Sequence, residues 1–130
     1  MIILILKTSQ PLAELYLYRD KQLLNQLSWQ ADRHLAETIN LKIDQLLSKA
    51  SLNLTNLDGL GVFTGPGSFT GLRIGLSVAN AMAYGLNIPI IGSRGDDWII
   101  TIIDQLVKGR DEHIVIPFYG SPARITKPRK

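Results

Sequence analysis

The chain has 130 residues, enough for one domain and short of two. Its hydrophobic fraction of 45% and charged fraction of 19% exclude a disordered chain. The absence of cysteine excludes disulfides, a thiol nucleophile and a thiolate metal site, and two well-separated histidines, His34 and His113, exclude a histidine-rich centre. The net charge of +3 belongs to the end of the chain: Arg124, Lys127, Arg129 and Lys130 fall in the last seven residues, and without them fourteen bases drop to ten against eleven acids.

Ile2–Leu6 is a continuous apolar run, as expected of a strand covered on both faces. It lacks the basic start and cleavage site of a signal peptide and is too short for one. Thr8-Ser9-Gln10-Pro11 reads as a turn, Leu12–Tyr18 as a strand, Arg19-Asp20-Lys21 as a polar turn and Gln22–Trp29 as a third strand. The short connections predict an antiparallel meander. Leu35, Ile39, Ile43, Leu46, Leu47 and Ala50 recur at helical spacing, so a helix is predicted from Asp32, its expected N-cap, to Ala50. A short strand, Leu60–Phe63, a glycine-rich turn and a helix from Ser68 to Leu86 follow. Ile88–Ile91 reads as a strand, Asp96–Val107 as a third helix and Ile114–Ile116 as a last short strand before a basic tail. The uncharged stretch between Arg73 and Arg94 is interrupted by Asn80, Asn87, Pro89 and glycines, so no membrane span is expected. The order β-β-β-α-β-α-β-α predicts an α/β domain over residues 1–112, with residues 113–130 as a short strand and tail. It is the order of ribonuclease H-like and actin-like half-domains.

The most informative segment is Thr64-Gly65-Pro66-Gly67-Ser68-Phe69-Thr70-Gly71-Leu72-Arg73-Ile74-Gly75. Gly65-Pro66-Gly67 predicts a tight turn and Ser68 a helix cap. Free amides and Arg73 at the helix start leave an anion site open beside a purely structural connection. The segment is neither a Walker A loop nor a dinucleotide fingerprint. Gly71, Gly75, Ala79 and Ala83 then recur every fourth residue, a small-residue stripe suited to close helix packing against the protein's own core or another chain.

The run from Gly65 to Gly75 resembles the signature of the TsaB (YeaZ) family, proteins of tRNA threonylcarbamoyladenosine (t6A) biosynthesis. Ile3–Ser9, Asp32–Leu47, Leu54–Phe63 and Ile88–Gly92 resemble the same family, so the resemblance covers about residues 1–105. It implies an actin-like fold without catalysis of its own, a cytoplasmic location and no cofactor or bound metal. It implies pairing with the catalytic subunit TsaD, a link to the ATPase TsaE, and self-association when TsaD is absent. The family's first two helices carry that pairing, so the stripe Gly71, Gly75, Ala79 and Ala83, flanked by Leu72, Val78 and Met82 and joined by Leu35 and Ile39, is the expected interface. Gly65, Pro66, Gly67, Ser68, Phe69, Thr70 and Arg73 form the signature turn that aims the helix.

The chain departs from the family pattern at Lys7-Thr8-Ser9, where an Asp-Thr-Ser turn is usual. In actin-like ATPases an acid there helps hold metal–nucleotide, and lysine repels a metal. That counts against the alternative of an actin-like ATPase or phosphotransferase. The family's second lobe is also expected to be missing here; a natural short form and a truncation both fit, and Pro117-Phe118-Tyr119 resembles the family's C-terminal Pro-x-Tyr. A metalloprotease lacks a partner histidine on the helix, and Asp96, Asp97 and Asp104 are read as helix-capping or surface acids rather than a two-metal nuclease cluster. Direct tRNA contact is expected only through Arg124–Lys130. Trp29 and Trp98 fit apolar patterns and are read as core.

Overall fold

The computed structural model describes residues 1–120. Three strands, β1 (Ile2–Lys7), β2 (Leu12–Arg19) and β3 (Gln22–Gln30), lead into helix α1 (Leu35–Lys49). Then follow β4 (Gly59–Phe63), α2 (Phe69–Leu86), β5 (Ile90–Ser93) and α3 (Trp98–Val107). The five strands form one sheet in the order β3-β2-β1-β4-β5. β1, β2 and β3 pair antiparallel, whereas β4 lies parallel to β1 and β5 parallel to β4.

β1 is buried throughout Ile2–Leu6 because both sheet faces are covered. Its side chains alternate. Ile2, Leu4 and Leu6 join Leu15, Leu17, Leu60 and Val62 beneath α1 and α2, while Ile3 and Ile5 meet Trp98, Ile102, Ile103 and Leu106 of α3. Trp98 packs edge-on against Tyr16 and Phe63, with ring centroids 6.1 and 5.1 Å away. Trp29 donates its indole N–H to Thr38 Oγ1 at 3.0 Å. Both tryptophans therefore belong to the packing.

Three local expectations are corrected. Asp32 does not cap α1; it has a φ of 47° and opens a 3-10 turn, Asp32–His34, so His34 occupies the N-cap without a side-chain bond. Asp97 stands at the N-cap of α3 but its carboxylate makes no capping bond. The expected strand Ile114–Ile116 forms no ladder. Instead the Asn80 side chain takes both backbone groups of Val115: the Val115 N–H donates to Asn80 Oδ1 at 2.9 Å, and Asn80 Nδ2 donates to the Val115 carbonyl at 2.9 Å. Up to residue 120 the segment after 112 is thus packed onto the domain rather than set apart as a tail; Val115 is buried. The basic stretch Arg124–Lys130 lies outside the described residues.

Candidate functional site

The signature turn joins β4 to α2 and is held from two sides. The Gly65–Pro66 peptide is cis, and Gly65 has a φ of 124°. A Cβ there would lie 2.1 Å from the Phe118 carbonyl oxygen, so this position needs glycine for both conformation and space. Phe118 N–H donates to the Thr64 carbonyl at 2.7 Å. On the other side Ser68 N–H donates to the Ser9 carbonyl at 2.8 Å, and a Cβ on Gly67 would lie 2.5 Å from that same oxygen. Ser68 caps α2 as expected, its hydroxyl accepting from Gly71 N–H at 3.3 Å. Phe69 is exposed and stacks on Tyr119 with centroids 4.9 Å apart, and the Arg73 guanidinium covers the same ring at 5.0 Å. Thr70, exposed, completes the first turn.

The small-residue stripe turns inward. Gly75, Ala79 and Ala83 are buried, as is Leu72 one turn before them. Gly71 and Gly75 straddle Thr8 at the end of β1: a Cβ on Gly71 would lie 2.3 Å from the Thr8 carbonyl oxygen, and one on Gly75 would lie 2.0 Å from Thr8 Oγ1. Thr8 is wholly buried and its hydroxyl donates to the Gly71 carbonyl at 2.8 Å. Leu35 and Ile39 of α1 are buried too, while Val78 and Met82 are half-buried at the border of that core. The interface expected on Gly71, Leu72, Gly75, Ala79, Ala83, Leu35 and Ile39 is therefore corrected: inside this chain those residues already have their partner. Replacing Thr8 by valine keeps the shape but removes the hydroxyl's bond to the Gly71 carbonyl, and urea unfolding should show a loss of about 0.5–1.5 kcal/mol. An unchanged midpoint would mean that the bond contributes nothing.

The opposite face of α2 is open. Arg73, Ser77, Ala81, Tyr84 and Gly85 are exposed there, Tyr84 at 91%. Arg73 is the lone charge of the helix. Between α1 and α2 runs a groove of about 410 Å³ lined by Ala36, Thr70, Arg73, Ile74, Ser77 and Val78. Leu41, at 58% exposure, adds an apolar side chain to the outer surface of α1. This second stripe, Arg73-Ser77-Ala81-Gly85, has the same spacing of four as the first, and three of its four residues are small, so spacing and size do not separate the two. Arg73 and Tyr84 were the signals that could have told them apart, since neither suits a tight core.

The groups of the enzymatic alternatives are placed elsewhere. Lys7 Nζ sits 4.9 Å above the Phe63 ring. Tyr16 donates its hydroxyl to the Glu14 carboxylate, and burial together with that carboxylate raises the phenol above its ordinary range. His34 faces Glu37 at 3.5 Å and His113 faces Asp111 at 3.2 Å. Among the described residues no three of His, Cys, Asp and Glu gather where they could hold a metal ion. No helix among them is long and apolar enough to cross a membrane.

A family model described as TsaD, tRNA N6-adenosine threonylcarbamoyltransferase, matches residues 29–101. A tRNA N6-adenosine threonylcarbamoyltransferase from Geotalea daltonii is 45% identical over 62 residues, which are 48% of this chain and 18% of that protein. The tRNA threonylcarbamoyladenosine biosynthesis protein TsaB of Haemophilus influenzae is 40% identical over 76 residues, 58% of this chain and 31% of that one. The chain thus spans less than a third of the length of these relatives. Among solved structures, YeaZ from Pseudomonas aeruginosa superposes with a TM-score of 0.66 at 27% identity, covering 72% of this chain and 43% of its own.

Proposed function

The chain belongs to the TsaD/TsaB (YeaZ) family and has its actin-like, ribonuclease H-like fold, and on that premise we propose that it serves t6A synthesis on tRNA as a non-catalytic partner subunit. In this reading α1 and α2 dock against the corresponding helices of a TsaD-like catalytic subunit, a TsaE-like ATPase joins the complex, and tRNA is met indirectly in the cytoplasm. Without the catalytic subunit the same surface pairs two copies of this chain. The observation that carries the reading is the open, small-residue face of α2 beside α1, which leaves Ser77 and Ala81 exposed with half-buried Ile74 and Val78 at the groove. Small side chains let a second pair of helices come close, and the single charge, Arg73, can find an acidic partner at the rim.

The test is light scattering behind size exclusion, with the full chain run alone and mixed with the TsaD-like protein of the same organism. A mixed complex that forms at the expense of a homodimer is the expected result. A chain that remains unchanged on mixing would overturn the reading.

A further inference from the structure

The outer edge of β5 is closed by two carboxylates and a single backbone bond rather than by a strand. Along a parallel ladder successive residues turn their backbone groups to opposite sides. Pro89 and Ser93 face β4, accepting from Leu60 N–H and Thr64 N–H at 2.9 Å each. By alternation Ile90 and Gly92 face outward. There, Ile90 N–H donates to Asp111 Oδ1 at 3.0 Å and Gly92 N–H donates to Glu112 Oε1 at 2.7 Å. The Ile90 carbonyl accepts from Glu112 N–H at 2.9 Å.

The rest of the segment is fastened behind these contacts. Asp111 Oδ1 also accepts from His113 N–H at 2.8 Å, which turns the chain. Val115 is then clasped by Asn80, and Phe118 by Thr64. Gly92 gives the room for this approach, because a Cβ on it would lie 2.4 Å from Val115 Cγ1.

Unpaired strand edges attract other strands, and proteins blunt them with charge, bulges or cover. The far edge of the sheet, β3, is rich in polar residues (Gln22, Asn25, Gln26, Ser28 and Gln30), and a register shift interrupts its pairing with β2. β5 reads Ile-Ile-Gly-Ser and has neither defence in its own sequence. We propose that Asp111–Phe118 is an edge guard, which occupies the strand-addition site of β5 and keeps a second copy of this chain from pairing there. Carboxylates suit the task, because they accept the two outward N–H groups but offer no peptide ladder for another strand to extend.

The full chain should be compared with an Asp111→Ala/Glu112→Ala pair and an Asp111→Asn/Glu112→Gln pair. Hydrogen exchange is read at the Ile90 and Gly92 amides, and sedimentation over a range of concentrations. In the alanine pair the two amides should exchange about 100-fold faster than in the unaltered chain, and association should grow with concentration. The amide pair keeps an acceptor oxygen at both positions and should behave as the unaltered chain. Association through α2 is common to all three, so only differences count. Equal exchange at Ile90 and Gly92 in a folded alanine pair would overturn the proposal, as would an unchanged association state. So would an amide pair that behaves like the alanine pair. Should the alanine pair fail to fold, Gly92→Ala presses on Val115 and Thr64, the two points where the segment is fastened, with both carboxylates in place, and the same two readouts apply.

Discussion

Gly75→Leu is expected to leave no folded protein. The position has no room even for the first carbon of a side chain: a Cβ would lie 2.0 Å from Thr8 Oγ1, 2.9 Å from Thr8 Cγ2 and 3.0 Å from Thr8 Cβ. Thr8 cannot swing away, because it is wholly buried and its hydroxyl is tied to the Gly71 carbonyl. Nor can α2 retreat freely, since Leu72, Leu76, Ala79 and Ala83 on the same side belong to the main core. Adding methylenes to a packed core that can adjust typically costs about 1–3 kcal/mol. Here the overlap begins at the first side-chain carbon, and a domain of this size has only about 5–15 kcal/mol to lose. Gly75→Ala should already lower the urea midpoint strongly. Circular dichroism and a proton–nitrogen correlation spectrum would decide the matter; a dispersed spectrum with an unchanged midpoint for the leucine variant would mean that α2 does not lie on Thr8. Loss of a complex in Gly75→Leu would therefore report unfolding and say nothing of docking.

Ala81→Glu should do the reverse. Ala81 is exposed on the outer face of α2, glutamate is a good helix former, and no described side chain must move to admit it. Stability should stay within about 0.5 kcal/mol of the unaltered chain. If two pairs of helices meet on this face, the new carboxylate is buried without a partner. Affinity for the catalytic subunit should then fall about 100-fold, or about 2.7 kcal/mol, measured by titration calorimetry. An unchanged affinity in this folded variant would remove the outer face of α2 from the interface. The two substitutions lie about one and two-thirds turns apart on one helix, and their opposite outcomes separate the inward from the outward stripe.

The element order was legible because the patterns are strong. The run Ile2–Leu6 reads as a strand covered twice, and the spacing of Leu35, Ile39 and Ile43 as a helix on a core. The signature turn was legible as well, down to the Ser68 cap. The orientation of α2 was not. Two stripes of small residues run along it, and size alone does not say which one is pressed against Thr8. The segment after α3 departs from its sequence pattern for a different reason. Ile114-Val115-Ile116 has the composition of a strand, but Val115 finds its bonds on Asn80, a side chain far away in sequence. Carboxylates and one amide standing in for backbone leave no periodic trace. Asp32 shows the same limit on a smaller scale, since a good capping residue was displaced by a 3-10 turn that enters the helix one step later.

The contact between Thr8 and Gly75 of α2 makes positions 8 and 75 tenants of a single volume. Methyl and hydroxyl enter it from the strand, and nothing can then enter it from the helix. A chain that shrank position 8 to alanine would lose the bond to the Gly71 carbonyl but open space for an alanine at 75. Each change alone should be harmful and the pair less harmful than their sum, a signature of compensation readable in a double-mutant cycle. The strand end and the helix are in this sense one inheritable unit, although about half of the chain's length separates them in the order of synthesis.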